Sequence, residues 1–315
     1  MISLKDAQKA REDLAIVVRQ TPVLKSVQIG PGRRTVDFKL EHLQLGGSFK
    51  IRGAMVRGLR LVEKGTNGFA AISAGNHAIA VAYAGRLLKV PVTVVIPLNA
   101  TNPERVRVCK ALGATVVLAP DRASAFSAVK SIVEAESLDL IHPFDSWETI
   151  LGTATIGLEL WEQFEGKIGS VWVPVGGGGL AAGVAWALKS LCPDIRIYAV
   201  EPKKANNMQL SILNGAPVEL PSIESVADSL TPPMVGAIPF QLCRAHVDEF
   251  LSVDDEEIVD AGKSLYSEAR ILMEPAGVCA LAGFLAAHTP VSDQAQIVLL
   301  SGSNIPVEQL YNLYQ

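Results

Sequence analysis

Five short runs of apolar, largely β-branched residues lie along the chain without regular alternation of polar residues. Such runs are typical of parallel strands that are buried on both faces of a sheet. We therefore predict a buried strand at each of them. The runs occupy residues 92–96, 115–118, 170–175, 195–200 and 297–300.

Between these runs, apolar residues recur with helical spacing, in stretches at residues 78–88, 104–112, 123–135 and 180–191. Strands that alternate with helices predict an α/β protein, here with two domains that each contain a mostly parallel sheet flanked by helices. The turn-rich segment IHPFDSWET separates two groups of these units. We therefore predict a small domain at 68–142, inserted into a large domain made of 1–67 and 143–315.

Composition and charge narrow the classes of function. Of the 315 residues, 49% are hydrophobic, and 28 Lys and Arg against 32 Asp and Glu give a net charge of −4. This balance leaves no basic excess for a nucleic acid backbone. The apolar runs end before the ~18 residues that a membrane helix needs, and the first residues include acids where a signal peptide is apolar. We expect a cytoplasmic protein with neither nucleic acid nor membrane partners.

The strongest local feature is VWVPVGGGGLAAGVAWALK, in which a strand passes through four glycines, residues 176–179, directly into a helix. Backbone N–H groups of such a loop can face an anion, most often a phosphate. Three alternatives stay open on this stretch alone: a nicotinamide or flavin site, another phosphate ligand, or a purely structural turn. The first would use the dinucleotide spacing of Gly177, Gly179 and Ala182, with Glu201 as the acid for a ribose.

A second glycine-containing segment, LEHLQLGGSFKIRGAMVRGLRLVEKG, contains Lys50 shortly after its first two glycines. Ser48 is a suitable N-cap, which places Lys50 in the first turn of a helix. The helix dipole and the apolar neighbours Phe49 and Ile51 disfavour the ammonium form, and a lowered pKa makes a lysine a nucleophile. The alternative is a solvated lysine whose stem covers apolar surface, which is the more common case for an isolated lysine.

The segment GFAAISAGNHAIAVAYAGRLL predicts a strand, a turn at residues 73–77 and a helix of mostly small residues. N–H groups at the helix start would face an open site, where Asn76 can bond a polar ligand and a carboxylate has room. The alternative is an ordinary helix start, for which Asn and His after Gly are common. His77 has no partners at metal-ligand spacing, so we expect no metal there.

In this order, the segments resemble the pyridoxal-phosphate enzymes of fold type II, specifically the serine/threonine dehydratase and serine racemase family. Each motif alone is modestly specific, but the ordered set is highly specific and covers nearly the whole chain. A dinucleotide enzyme has no reason to carry GSFK and SAGNH upstream of its glycine loop, so a nicotinamide-dependent oxidoreductase is only the out-of-class alternative. The motifs are RQTPVLKS, KLEHLQLGGSFKIRGA, SAGNHAIAVAYA, IHPFD, VPVGGGGLAAG, VEPKKA, MEPAG and LSGSN.

The resemblance implies a role for each motif residue. Lys50 would hold pyridoxal phosphate as a Schiff base and remove the α-proton of the substrate. Phe49 would pack on the cofactor ring, Asn76 would bond the ring hydroxyl and Ser301 would meet the pyridine nitrogen. The cofactor phosphate would be bound by Gly176, Gly177, Gly178, Gly179 and the Leu180 amide. The substrate carboxylate would be bound by Ser73, Ala74, Gly75, Asn76 and His77.

The implied activity is a dehydratase, or ammonia-lyase, that converts a β-hydroxy amino acid to a 2-oxo acid and ammonia. L-Threonine and L-serine are the default substrates, and a hydroxyaspartate, a phenylserine or a product of hydroxyectoine breakdown are the alternatives. Racemases of the family place a second acid/base serine where this chain has Ala74, so we favour dehydratase over serine racemase. The family also implies a homodimer or homotetramer.

Several departures from the family pattern bear on metal and substrate. The family's divalent-cation site would use Glu201, the Ala205 carbonyl and an aspartate where this chain has Asn207. One anionic ligand fewer weakens a site for Mg²⁺ or Ca²⁺, so we leave the metal unassigned. GTAT at 152–155 and ADS at 227–229 replace GQGT and ADG, which makes a non-standard substrate an open alternative. The C-terminus leads us to expect no regulatory domain.

Overall fold

The computed structural model describes residues 2–98, 102–220, 223–287 and 294–314. The described strands are β1 (Val23–Ile29), β2 (Arg34–Leu40), β3 (Phe69–Ile72), β4 (Val92–Pro97), β5 (Thr115–Ala119), β6 (Asp139–Leu140), β7 (Ile168–Pro174), β8 (Arg196–Pro202), β9 (Glu249–Val253) and β10 (Ala295–Leu300). The described α-helices are α1 (Leu4–Leu14), α2 (Lys50–Glu63), α3 (Asn76–Leu88), α4 (Pro103–Ala111), α5 (Arg122–Glu136), α6 (Trp147–Gln163), α7 (Gly179–Leu191), α8 (Asn207–Asn214), α9 (Ala237–His246), α10 (Asp255–Ala269), α11 (Pro275–Ala286) and α12 (Val307–Tyr314).

The strands form two sheets, and both are mostly parallel. The larger sheet has the order β1-β2-β10-β7-β8-β9, and the smaller has the order β5-β4-β3-β6. Strands β1 and β2 pair antiparallel, whereas the other strand pairs within the described residues are parallel. The predicted α/β class is confirmed, as are the strands β4, β5, β7, β8 and β10 and the helices α3, α4, α5 and α7.

The strands without a prediction lack a continuous apolar run. Strand β1 is exposed along much of its length, β6 has two residues, and β9 is only partly buried. Strand β2 is buried over its last five residues, but two of them are Asp37 and Lys39. Charged residues on a buried strand hide it from a search for apolar runs, because their burial depends on partners that are distant in the sequence.

Helix α2 packs against elements associated with both sheets. Its apolar residues Ile51 and Met55 belong to one buried cluster with Val81 of α3 and Val94 of β4. The same helix also contacts α6, which precedes β7 of the larger sheet. The four strands of the smaller sheet all come from the segment between Phe69 and Leu140. The division of the chain into domains at 68 and 142 stays a prediction.

Four buried charged side chains fix the position of α2. Arg52 forms ion pairs with Glu41 at 2.8 Å and Glu159 at 2.6 Å, and Glu159 also pairs with Lys39 at 2.5 Å. The charges of the two acidic and two basic side chains in this cluster cancel. The contacts to Glu41 raise the pKa of Arg52, and Arg52 keeps the pKa of Glu41 low despite its burial. Because Arg52 lies two residues after Lys50, the cluster holds the start of the helix in place.

The segments that the sequence analysis singled out for binding or catalysis follow the carboxyl ends of strands. The four glycines follow β7, the turn at residues 73–77 follows β3, and Ser301 follows β10. In sheets of parallel strands, ligands bind at the edge where the carboxyl ends of the strands meet. No helix within the described residues is long and apolar enough to cross a membrane.

Candidate active site

Helix α2 begins at Lys50, and Ser48 is not its N-cap, so that prediction is wrong. The backbone at Ser48 is extended and bridges to Gly302, so the helix begins after Phe49, which makes no side-chain capping bond. The backbone N–H of Phe49 donates to the carbonyl oxygen of Ser301 at 3.1 Å. This contact places the start of α2 directly beside the end of β10.

The amine of Lys50 points into the protein. Its Nζ donates to the carbonyl oxygen of Pro143 at 2.9 Å and lies 5.1 Å from the centroid of the Phe49 ring. His77 and Thr153 line the same pocket. Burial lowers the pKa of Lys50 from its ordinary 10.5 to about 8. A large share of the amine is therefore neutral near pH 8 and able to act as a nucleophile or base.

The glycine loop after β7 requires glycine for two physical reasons. Gly178 has φ of 90°, in the left-handed region that favours glycine. A Cβ on Gly177 would collide with the ring of Phe144, and one on Gly176 would lie 3.0 Å from the Cα of Leu230. Helix α7 begins at the last glycine, and the first N–H groups of a helix have no partner inside it. The N–H groups of the glycine loop and of the start of α7 can therefore bind an anion together.

The segment after β6 joins this loop to Lys50. Pro143 accepts the hydrogen bond from Lys50, and the neighbouring Phe144 packs against the glycines. Thr153 of α6 lines the Lys50 pocket and donates to the carbonyl oxygen of Gly179 at 2.8 Å. The lysine and the glycine loop, 126 residues apart from Lys50 to Gly176, thus belong to one site.

The turn at residues 73–77 is held by a network of hydrogen bonds. The hydroxyl of Ser73 accepts from the N–H of Gly75 at 3.0 Å. The amide of Asn76 donates to Glu274 at 2.5 Å and accepts from Asn304 at 2.7 Å. Both functional atoms of the Asn76 side chain are therefore fixed.

His77 is neutral at physiological pH. Its Nε2 lies 2.8 Å from the carbonyl oxygen of Ile141. A carbonyl only accepts, so the ring proton is on Nε2. Burial and the nearby Lys50 charge lower the pKa of His77 to about 3. His77 therefore adds no positive charge beside Lys50.

Ser301 lies at the end of β10 and is 5% exposed. Its carbonyl oxygen contacts the N–H of Phe49, whereas the hydroxyl of Ser303 is used elsewhere and donates to the carbonyl oxygen of Leu272 at 2.9 Å. Of these two serines, Ser301 is thus the one whose backbone contacts the start of α2.

Comparison with known families identifies the chemistry of this site. Residues 14–302 match the family model described as pyridoxal-phosphate dependent enzyme. The chain belongs to this family. The resemblance inferred from the sequence is confirmed, and with it the pyridoxal-phosphate cofactor and the fold type II architecture.

Individual relatives cover the chain almost completely. The phenylserine dehydratase of Ralstonia pickettii is 41% identical over 91% of this chain and 88% of its own length. The L-threonine ammonia-lyase of Thermotoga maritima is 34% identical over 98% of this chain and 77% of its own. The structure of maize serine racemase has a TM-score of 0.92 at 35% identity and covers 98% of this chain and 96% of that one.

The residues present fit pyridoxal phosphate. The backbone N–H groups of the glycine loop would meet a phosphate, and the buried Lys50, with its lowered pKa, would provide an amine for the aldehyde. The hydroxyl of Ser48, buried beside Gly302, has no hydrogen-bond partner among the described residues. An unpaired buried hydroxyl is costly unless a ligand meets it, and a polar ligand beside Gly302 would do so.

Glu201 binds backbone N–H groups in the first turn of α8. Its two carboxylate oxygens accept from the N–H groups of Met208 and Gln209, both at 2.8 Å, and burial raises its pKa to about 8. Glu201 is therefore not placed to bind a ribose. The Nδ2 of Asn207 donates to the carbonyl oxygens of Pro232 and Pro233. Among the residues described, no group of three or more His, Cys, Asp or Glu side chains could hold a metal ion, and the metal stays unassigned.

Two residues at the site were not predicted from the sequence. Arg105 of α4 contacts the turn at residues 73–77, and Glu274 contacts Asn76. Glu274 had a weak signal, because it stands in MEPAG directly before the proline that begins α11. Arg105 had none, because the charged residues around it, Glu104 and Arg107, make its helix segment resemble a solvated face.

Proposed function

We propose that this chain is a pyridoxal-phosphate-dependent dehydratase that converts β-hydroxy amino acids, with L-threonine and L-serine as default substrates, to 2-oxo acids and ammonia. The observation that carries the proposal is the buried amine of Lys50, with a pKa of about 8, at the start of α2, where the neighbouring Phe49 N–H bonds the carbonyl oxygen of Ser301. The dehydratase names of relatives that match over nearly the whole chain support it.

The cofactor, when bound, supplies an electron sink for negative charge at the α-carbon of the substrate. Ser301 sets how strong this sink is. A hydroxyl does not stabilise a protonated ring nitrogen as an aspartate would, so less charge moves into the ring. Early loss of a group from the β-carbon is then favoured over transamination.

Lys50 is proposed to hold the cofactor and then act as the base. Its neutral amine takes the α-proton, the electron pair forms the α,β double bond, and the protonated amine passes that proton to the β-hydroxyl, which leaves as water. The released enamine gains one water and gives the 2-oxo acid and ammonia. The water lost equals the water gained, so the net products are one 2-oxo acid and one ammonia.

Ala74 favours elimination over racemisation. Inversion of the α-carbon needs an acid on the face opposite Lys50, and a methyl group has no proton to give. The carbonyl oxygen of Ala74 accepts from Arg105 and its side chain packs against an apolar cluster. Position 74 thus offers no side-chain proton donor. The backbone of residues 73–77 is proposed to bind the substrate carboxylate.

A phenylserine is the second candidate substrate, because the chain is 41% identical to a phenylserine dehydratase. The test is a panel of L-threonine, L-serine, L-threo-3-phenylserine and 3-hydroxyaspartate with purified holoenzyme, in which 2-oxo acid and ammonia are both measured. Equal amounts of the two products from at least one substrate are expected. Products from none of them, in a protein that shows the visible absorption band of bound cofactor, would overturn the dehydratase assignment.

The cytoplasmic location and the homodimer or homotetramer are part of this proposal. The acidic net charge supports a location away from nucleic acid and anionic membranes. Sedimentation of the purified holoenzyme measures the oligomeric state, and a monomer at micromolar concentration would contradict it.

A further inference from the structure

Two arginines on the same helix have opposite environments. The side chain of Arg105 is 5% exposed, whereas that of Arg107 is 70% exposed and pairs with Glu104 one turn away. Burial of a guanidinium is unfavourable unless its donors are paired. The position of Arg105 thus requires specific partners.

Those partners come from four segments that are far apart in the sequence. Arg105 donates to the carbonyl oxygen of Ala74 at 3.3 Å, to Asp228 at 2.9 Å, to Glu274 at 3.2 Å and to the carbonyl oxygen of Asn304 at 3.1 Å. Arg105 follows β4 of the smaller sheet, whereas Asp228, Glu274 and Asn304 belong to the part of the chain that includes β8, β9 and β10 of the larger sheet. The guanidinium therefore ties the two parts together at the turn of residues 73–77.

The contacts occupy the guanidinium almost completely. An arginine has five N–H donors, and the Nε and Nη atoms of Arg105 donate four hydrogen bonds to the residues described above. Arg105 is consequently not a free cation that waits for a substrate carboxylate. Its role is to hold other groups.

Glu274 connects Arg105 to Asn76. One carboxylate oxygen of Glu274 accepts from Arg105 and the other accepts from the Asn76 amide at 2.5 Å. A carboxylate only accepts, so this contact fixes which end of the Asn76 amide faces it. Asn304 fixes the other end at 2.7 Å, and the carbonyl oxygen of Asn304 is itself held by Arg105.

We infer that Arg105 is a positioning residue of the active site, which sets the orientation of Asn76 through Glu274 and Asn304 and the path of the turn through the Ala74 carbonyl. This inference rests on the proposed function, in which Asn76 faces the cofactor and the turn binds the substrate carboxylate. Lysine cannot replace the arginine, because one ammonium does not reach four acceptors in the fork geometry of a guanidinium.

The first experiment compares holoenzyme of Arg105→Lys and Arg105→Ala with Arg107→Ala as the matched control. We expect kcat/KM to fall at least ~10-fold in Arg105→Lys and further in Arg105→Ala, which corresponds to the loss of one or more hydrogen bonds to charged groups. The circular dichroism of the bound cofactor in the visible band should change as well. Arg107→Ala should match the unmodified enzyme in both measurements.

A double-mutant cycle with Glu274→Gln tests whether Arg105 acts through Glu274. The loss of kcat/KM in the Arg105→Lys, Glu274→Gln double variant should differ by at least ~3-fold from the product of the two single losses, as expected for residues in one network. A merely structural role would lower thermal stability and leave the cofactor dichroism and the kcat/KM of the folded protein unchanged. That result would overturn the inference.

The dichroism measurement also separates this inference from the proposed function. If no β-hydroxy amino acid is turned over by the unmodified enzyme, the dehydratase assignment fails. The dichroism of Arg105→Lys against Arg107→Ala then still decides whether Arg105 positions the cofactor site. An Arg105→Ala variant that does not fold leaves the decision to Arg105→Lys, which keeps the positive charge.

Discussion

The amine of Lys50 donates a 2.9 Å hydrogen bond to the carbonyl oxygen of Pro143. Pro143 is followed by Phe144, which packs against the glycine loop. The amine that we propose to hold the cofactor aldehyde and the loop that we propose to hold its phosphate are therefore positioned by the same short segment. This arrangement fixes the distance between the two ends of the cofactor site.

Substitution of Lys50 by alanine should abolish turnover and leave the fold intact, because the amine is both the proposed anchor of the cofactor and the proposed base. Borohydride reduction of the unmodified holoenzyme, followed by peptide mapping, should find the cofactor on the peptide that contains Lys50. Turnover in Lys50→Ala near that of the unmodified enzyme would contradict the role, as would a label on another lysine. Lys64→Ala, at an exposed position at the end of α2, is the control.

The pKa of Lys50 predicts how the cofactor-free protein takes up pyridoxal phosphate. Only the neutral amine attacks the aldehyde, and burial lowers its pKa from 10.5 to about 8. The rate of uptake, followed by the growth of the visible absorption band, should rise with pH to a midpoint near 8 and level off above it. A rate that still rises steeply above pH 10 would mean that the amine is solvated as in a free lysine.

Ser301→Ala should lower kcat by a factor of ten or more, because the hydrogen bond that we propose from its hydroxyl to the ring nitrogen is lost. Ser303→Ala is the matched control, since the Ser303 hydroxyl bonds the backbone of Leu272 instead. Steady-state rates and thermal unfolding of both variants decide the outcome. A loss of stability with unchanged kcat in Ser301→Ala would assign that serine to the turn alone.

Ala74 predicts the balance between two reactions of serine. We expect any racemase activity to be at least ~100-fold below dehydration, the scale of a missing general acid. Ala74→Ser should raise the ratio of D-serine to pyruvate, because it restores a hydroxyl to that position. Both products are measured with L-serine in the two proteins. Substantial D-serine from the unmodified enzyme would mean that another residue, such as Ser73 or Ser229, supplies the proton.

The buried ionic cluster predicts a large effect on stability. Arg52→Met leaves Glu41 and Glu159 buried with only Lys39 as a counter-charge, which should cost about 3–5 kcal/mol of unfolding free energy. Arg60→Met on the same helix removes only partly exposed ion pairs and should cost about 1 kcal/mol or less. Urea unfolding of both variants gives the comparison. Similar shifts of the unfolding midpoint in the two would show that the cluster adds little.

The cofactor class could be predicted from the sequence because its signals are local. Four consecutive glycines between a strand and a helix, and a lysine at a helix start, each describe a few adjacent residues whose backbone geometry follows from their type. The apolar runs of β4, β7 and β10 are equally local, because a strand buried on both faces needs apolar residues along its whole length. The order of the motifs along the chain then distinguished a pyridoxal-phosphate enzyme of fold type II from a dinucleotide-binding enzyme.

Other features depended on contacts between residues far apart in the sequence. Arg105 and Arg107 lie two residues apart in one charged segment, yet of the two only Arg105 is buried. Its burial is possible because the folded chain brings Asp228 and Glu274 into contact with it. Ser48 lost its expected capping role because its backbone pairs with Gly302 instead.

By itself, the sequence determined the α/β class, the strand–glycine–helix loop and the lysine at a helix start, since these depend on residue type and spacing within one element. Only the tertiary structure decided which charged side chains are buried and what they hold. The physical reason is that the free energy of burying a charge depends on its partners. The partners of Arg105 and Arg52 lie between 11 and 199 residues away along the chain.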